Sequence, residues 1–208
     1  MTQVFRNDTA QHNVILGIDP GSRVMGYALV KCVGNKRVIL CMDALVLGNK
    51  TSMEERLKLL FQKVTELVDT YHPEILAIEA PFYGKNVQSM LKLGKAQGVA
   101  IAAALAKGIP FIEYAPRRIK QSITGKGAAS KEQVAMMLQH MIPFQDFPKY
   151  LDATDALAVA VCHSLQHRFS EKVPKEVSPK EVGKKKSGSW TKFLSENPDR
   201  IQNKSDKR

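Results

Sequence analysis

The chain has 208 residues, 44% of them hydrophobic, which is enough for one domain with a substantial core and some additional length. Its formal net charge of +11 suggests a polyanionic partner, with nucleic acid as the first candidate. No apolar run approaches the roughly 18 residues of a membrane span, and the polar N-terminal residues lack the apolar centre of a signal peptide, so we expect a cytoplasmic protein. The three cysteines, Cys32, Cys41 and Cys162, are scattered and show neither a disulfide framework nor zinc-ligand spacing.

The first part of the chain predicts three consecutive strands. Residues 1–12 are expected to form a flexible leader. An apolar run over 14–19 ends at a Pro-Gly-Ser turn and predicts a buried strand. Strands are also predicted over 26–30 and 37–47, and the Gly-Asn pair between them favours a hairpin turn. Such short connections predict that the three strands are antiparallel neighbours.

Helices and strands alternate in the rest of the chain. Apolar periodicity and capping residues predict helices over about 53–70, 87–107, 116–123, 131–141 and 152–167, and strands over 75–79 and 109–114. This mixture of hairpins and crossovers predicts an α/β fold with a five-stranded mixed sheet and helices on both faces. After residue 168 the composition becomes rich in Ser, Pro, Lys and Glu. We therefore expect a folded domain over 13–168 and a basic, disordered tail over 169–208.

Carboxylates stand at three informative places in this pattern. Asp19 and Glu79 each end a predicted core strand, where a charge is unfavourable unless a cation or hydrogen bonds receive it. Asp152 and Asp155 share one face of a predicted helix start, where the helix dipole favours anions. Capping of a turn or helix is the alternative for each site. Together, oxygen ligands without His or Cys favour magnesium or manganese, and two such ions can promote phosphodiester hydrolysis.

A set of short motifs keeps a fixed order along the chain. The motifs are Gly17-Ile18-Asp19-Pro20-Gly21-Ser22 with Gly26-Tyr27-Ala28, Ile78-Glu79-Ala80-Pro81-Phe82 with Lys85-Asn86, Leu91-Lys92-Leu93-Gly94-Lys95-Ala96-Gln97-Gly98-Val99-Ala100, Glu113-Tyr114, Ile119-Lys120-Gln121, and Asp152-Ala153-Thr154-Asp155-Ala156-Leu157-Ala158-Val159-Ala160 with His163. In this order they resemble the RuvC Holliday-junction resolvases. The resemblance implies a ribonuclease-H-like fold over 13–168. It also implies an endonuclease that makes paired symmetric nicks in four-way DNA junctions, leaving 5′-phosphate ends, in recombination and repair.

The resemblance also implies roles for individual residues. The family's catalytic and metal-binding acids match Asp19, Glu79, Asp152 and Asp155. By this resemblance two Mg²⁺ ions per subunit are expected, and Mn²⁺ could substitute. Lys120 and Lys131 match basic residues near the scissile phosphate, with ordinary solvated lysines as the alternative.

Further residues match the family's contacts to DNA. Phe82 matches an aromatic side chain that stacks on a junction base, and a core position is its alternative. Weaker candidates for contacts to the DNA backbone are Lys85, Lys92, Lys95, Arg117 and Arg118.

The resemblance implies partners as well: a second copy of the chain and the RuvA and RuvB branch-migration proteins. A twofold dimer suits a substrate with two equivalent strands. Gly94, Gly98 and Ala102 lie four residues apart and form a smooth stripe, which could contact the second copy or pack on the chain's own sheet. The leader and the tail have no implied role, although a basic tail could attract DNA through counterion release.

Two other classes of function remain as alternatives. A noncatalytic, structure-specific DNA-binding module would need a broken set of acids, whereas all four positions carry an acid. An actin-like or sugar-kinase ATPase would need phosphate-binding loops in two duplicated domains, and the 14–22 motif has no duplicate.

Overall fold

The computed structural model describes residues 14–48, 51–81, 86–144 and 149–172, with side chains described as far as residue 166 in the last segment. The predicted leader, the part of the predicted tail beyond residue 172, and Phe82 and Lys85 lie outside the described residues. Among the described helices, none is long and apolar enough to cross a membrane.

Five strands of the described part of the chain form one mixed sheet. They are β1 (Val14–Asp19), β2 (Val24–Val33), β3 (Lys36–Val46), β4 (Ile75–Glu79) and β5 (Phe111–Tyr114). The spatial order is β3-β2-β1-β4-β5, with antiparallel pairing among the first three and parallel pairing of β4 with β1 and of β5 with β4. The predicted strand count and mixed sheet are confirmed. β2 is longer than predicted because its exposed end continues to pair with β3 around the hairpin, as far as Val33 opposite Lys36.

Five helices cover the sheet within the described ranges. They are α1 (Met53–Tyr71), α2 (Val87–Ala106), α3 (Pro116–Thr124), α4 (Lys131–Met141) and α5 (Leu151–Lys172). Side-chain caps begin three of them, at Ser52, Asn86 and Ser130, and the Ser130 cap is a full capping box. α5 extends past residue 168, where the tail was predicted to begin, and the division into leader, domain and tail stays a prediction.

The core consists of two layers, one on each side of the sheet. α1 and α2 pack with Leu16 and Ile18 of β1, whereas α3, α4 and α5 pack with Ile15 of the same strand. The predicted helices on both faces are confirmed. Because side chains alternate along a strand, Gly17 and Asp19 face the α5 side. This alternation decides which helix meets the acid at the end of β1.

Candidate active site

Asp19 and Glu79 lie at the same edge of the sheet. β1 and β4 are parallel neighbours, and Ile18 pairs with Ile78 one residue before each acid. Since both isoleucines belong to the core layer of α1 and α2, the acids that follow them face the α5 side. The predicted convergence of two strand-end carboxylates therefore follows from the strand register.

Two glycines let α5 lie directly against the sheet beside these acids. Gly26 pairs with Asp19 across β1 and β2, and a Cβ atom on Gly26 would lie 1.8 Å from the Asp152 carbonyl oxygen. A Cβ on Gly17 would lie 2.3 Å from the carbonyl oxygen of Ala156. Such close approach requires glycine at both positions, and it brings the first turns of α5 over the strand ends.

Carboxylates and lysines meet in one cleft at this edge. The cleft is lined by Asp19, Glu79 and Asp155, together with Lys120 of α3 and Lys131 of α4. The Lys131 ammonium group forms an ion pair with Asp155. Asp152 is not among the residues that line the cleft, but it contributes negative charge at Asp19 and at Lys131.

The electrostatics of the acids reflect their burial and their proximity. Burial raises the pKa of Asp19 to about 8, reinforced by the charges of Glu79 and Asp155 and opposed by Lys131. Burial and the charge of Asp155 raise the pKa of Glu79 to about 7, against the effect of Lys131 and Lys120. Burial lowers the pKa of Lys131, but its hydrogen bond to Asp155 and the surrounding negative charge outweigh that effect and raise it.

The donor chemistry of this cluster fits a hard divalent cation. All four acids offer oxygen ligands, and a bound cation would offset both the burial and the neighbouring negative charge that raise the pKa values of Asp19 and Glu79. In the described part of the chain, no three His, Cys, Asp or Glu side chains are already placed to hold one ion together. Asp155 is directed to Lys131 instead, so binding a cation would require rotation of carboxylate side chains.

The other basic candidates are spread over the surface. Arg117 lines a second cleft that adjoins the first and shares Glu79, Lys120 and Lys131 with it. Arg118 donates a hydrogen bond to Gln166, 2.8 Å away on α5. Lys92 and Lys95 are exposed on α2, which packs on the opposite side of the sheet from α5, and they line neither cleft.

One buried residue behind the acids was not predicted from the sequence as part of the site. Gln97 of α2 is 6% exposed, and its Nε2 donates to the carbonyl oxygen of Glu79 and to the carboxylate of Glu113. A signal for it was present in the sequence. Gln97 is a polar residue on a helix face that is otherwise occupied by small apolar residues such as Ala96 and Ala100.

Comparison with known proteins assigns the chain to a family. A family model described as crossover junction endodeoxyribonuclease RuvC matches residues 15–163. The chain belongs to the RuvC family. The crossover junction endodeoxyribonuclease RuvC of Cytophaga hutchinsonii is 50% identical over 189 residues, which cover 91% of this chain and 88% of the relative. The protein of the same name from Christiangramia forsetii is 49% identical, with 91% and 93% covered.

A solved structure supports the same assignment. It is T. thermophilus RuvC in complex with Holliday junction substrate, which shares 30% identity and a TM-score of 0.72 over 76% of this chain and 97% of that one. The predicted RuvC family, ribonuclease-H-like fold and endodeoxyribonuclease class are thus confirmed. As a nuclease of the RuvC family, the protein requires a divalent metal ion.

Proposed function

We propose that this protein resolves four-way DNA junctions by paired symmetric nicks, with magnesium held by the acids at the edge of the sheet. The observation that carries the proposal is the meeting of Asp19, Glu79 and Asp155 in one cleft beside Lys120 and Lys131. The junction as substrate is supported by the T. thermophilus relative, which was solved with a Holliday junction. Family membership supports a role in DNA recombination and repair.

Two Mg²⁺ ions per subunit suit this set of ligands, and Mn²⁺ should substitute because it accepts the same oxygen donors. Asp19 lies between Glu79 and the start of α5, so it is the residue best placed to contact both ions. Glu79, Asp152 and Asp155 would complete the coordination. When bound, the ions would supply activation of a water molecule and stabilisation of the leaving oxygen.

The lysines of the cleft would bind the phosphate that is cut. Lys131 now forms an ion pair with Asp155, and rotation of Asp155 toward a cation would free the ammonium group for a phosphate oxygen. Lys120 enters the same cleft from α3 and would offset charge that develops on the phosphate in the transition state. Arg117, in the adjoining cleft, would contact the DNA backbone next to the cut.

Other contacts to DNA are proposed from the sequence. Phe82 and Lys85 follow Glu79 by three and six residues in the sequence and match the family's contacts to DNA. Stacking of Phe82 on an unpaired junction base would contribute on the order of 1–3 kcal/mol. Lys92, Lys95 and Arg118 are expected to contact DNA farther from the cut.

We also propose that the protein acts as a homodimer through the outer face of α2. A Cβ atom built on Gly94 or Gly98 meets no atom of the described chain within 4 Å. The alternative prediction, that this stripe packs on the chain's own sheet, is therefore wrong. On the same face Val87, Leu91 and Leu105 are 64%, 58% and 51% exposed. A second copy would cover these apolar side chains and present a second acid cluster to the equivalent strand. By family, RuvA and RuvB are the proposed cytoplasmic partners.

Mapping of the cut sites tests the function directly. End-labelled four-way junctions and a linear duplex of the same sequence are incubated with the protein and Mg²⁺. We expect paired nicks at symmetric positions in the junction alone, with 5′-phosphate ends. Asp19→Asn serves as the control, which should bind the junction without cutting it. Indiscriminate cutting of the linear duplex, or wild-type cutting by Asp19→Asn, would contradict the proposal.

A further inference from the structure

Gln97 makes two hydrogen bonds from a buried position on α2. Its side-chain nitrogen lies 2.5 Å from Oε1 of Glu113 and 3.4 Å from the carbonyl oxygen of Glu79. Both partners are acceptors, so the amide nitrogen must face them and supply one hydrogen to each. The bond to the Glu113 carboxylate is charge-assisted and fixes the amide, whose second hydrogen is then directed at Glu79.

The Gln97 bond to the Glu79 carbonyl oxygen comes from the side of the sheet opposite to the Glu79 carboxylate. The Glu79 side chain faces α5, whereas α2 packs on the other layer with Ile78. Just beyond Glu79, the Ala80 N–H donates to the carbonyl oxygen of Tyr114 on β5 at 2.9 Å. The last peptide groups of β4 are therefore held at two points, by Gln97 from behind and by β5 from the side.

We propose that Gln97 is a positioning residue for the Glu79 carboxylate. By holding the Glu79 carbonyl oxygen, it fixes the peptide from which that carboxylate extends toward Asp19 and Asp155. The inference rests on the proposed function, because it assumes that Glu79 binds a divalent cation there. It assigns to α2 a role in the chemistry in addition to its exposed outer face.

A merely structural role would attach α2 to β5 through Glu113 and nothing more, and a double substitution separates the two roles. Gln97→Glu removes the donor to the Glu79 carbonyl oxygen and places a second carboxylate, at position 97, beside that of Glu113. Glu113→Gln in that background supplies an amide that can donate to the new carboxylate at position 97. The double variant thus restores the attachment of α2 to β5 without restoring a donor to the Glu79 carbonyl oxygen.

The measurements are Mn²⁺ affinity by calorimetry without DNA, thermal unfolding, and hydrogen exchange at the Ala80 amide. Mutation of a residue that holds a metal ligand in place typically weakens metal affinity by about 10–100-fold. We expect Gln97→Leu and Gln97→Glu to weaken Mn²⁺ binding by about 10-fold or more and to speed exchange at Ala80. The double variant should regain thermal stability while its Mn²⁺ affinity stays weak.

Gln139→Leu is the matched control. Gln139 is also a helical glutamine that donates to a backbone carbonyl oxygen, that of Phe144 at 3.3 Å, but it lies on α4 away from Glu79. It should lower stability and leave Mn²⁺ affinity unchanged. Recovery of Mn²⁺ affinity together with stability in the double variant would overturn the positioning role, as would an unchanged affinity in Gln97→Leu. Absence of Mn²⁺ binding by the wild-type protein would instead refute the proposed function.

Discussion

Gly26→Ala should displace the start of α5 and with it Asp152. The new Cβ would lie 1.8 Å from the carbonyl oxygen and 2.2 Å from the carbonyl carbon of Asp152, and real Cβ atoms essentially never come closer than 3.0 Å to another atom. These atoms belong to the backbone, so no side-chain rotation can relieve the clash. β2 is held between β1 and β3, and the helix must therefore retreat by at least about 1.2 Å.

Gly26→Ala should lower both the stability of the fold and the rate of cleavage. Overpacking of this kind destabilises by about 1–3 kcal/mol. At about 2–4 °C per kcal/mol for a chain of this size, the melting temperature should fall by roughly 2–12 °C. Misplacement of a catalytic group by about 1 Å can reduce the rate by about 100-fold. Junction cleavage should therefore fall much further than the loss of folded protein explains.

The assay compares thermal unfolding and single-turnover junction cleavage for Gly26→Ala and Gly127→Ala. A Cβ on Gly127 would lie 2.6 Å from Cγ of the exposed Arg117, whose side chain can move aside, and 3.3 Å from the Arg117 carbonyl oxygen, which needs a shift of only a few tenths of an ångström. Gly127→Ala should therefore unfold within a few degrees of the wild type. If Gly26→Ala melts and cleaves as the wild type does, the close approach of α5 to β2 is not what places Asp152.

Three further predictions concern charge, assembly and the tail. In metal-free protein the fold raises the pKa of Asp19 from 3.8 to about 8, so its ionisation opposes folding and stability should fall as pH rises from about 4 to 8. In urea unfolding at pH 8 with EDTA, the free energy of unfolding of Asp19→Asn should therefore be higher than that of the wild type by at most about 5 kcal/mol, and the difference should disappear toward pH 4. A variant less stable than the wild type at pH 8 would contradict this. Leu91→Glu, on the outer face of α2, should yield monomers by sedimentation, whereas Phe61→Glu, an equally apolar but separate site on α1, should not; a dimeric Leu91→Glu would exclude this face. Deleting residues 173–208, which carry ten Lys and Arg against five Asp and Glu, should weaken junction binding and flatten its dependence on salt. Equal affinity of the deletion variant at every salt concentration would remove the tail from DNA binding.

The sequence predicted those elements whose causes are local. The capping box of Ser130 and Gln133 begins α4, and Gly125 adopts the left-handed conformation (φ 75°) that ends α3. Both features depend only on residues within one turn of the chain. The extended end of β2 was missed because Lys31 and Val33 are stabilised by pairing with β3 rather than by an apolar pattern. Pairing of this kind leaves no periodicity to recognise.

In the candidate site, too, the sequence predicted the residues with a local signal and missed those whose roles depend on tertiary contacts. Asp19 and Glu79 could be identified because a charge at the end of an apolar strand is unusual in itself. The roles of Gly17, Gly26 and Gln97 could not, although all three belong to recognisable motifs. Their reasons are tertiary: which helix lies on which strand, and which carbonyl oxygen a buried amide reaches. The ion pair of Lys131 with Asp155 joins residues 24 positions apart and is equally invisible to local patterns.

These tertiary contacts account for how the fold holds the acids close together. The raised pKa values of Asp19 and Glu79 mean that ionised carboxylates oppose the fold, and a pliable backbone would let them separate. Gln97 holds the carbonyl oxygen of Glu79, and Gly17 and Gly26 let the backbone of α5 pack directly against β1 and β2. The backbone therefore keeps the carboxylates close together despite their repulsion, and only rotation of their side chains can move them apart. A divalent cation that binds only the folded state would then stabilise it in proportion to the logarithm of its concentration above its dissociation constant. By this reasoning, substitutions that loosen the backbone, such as Gly26→Ala or Gln97→Leu, should also reduce the thermal stabilisation that Mg²⁺ provides.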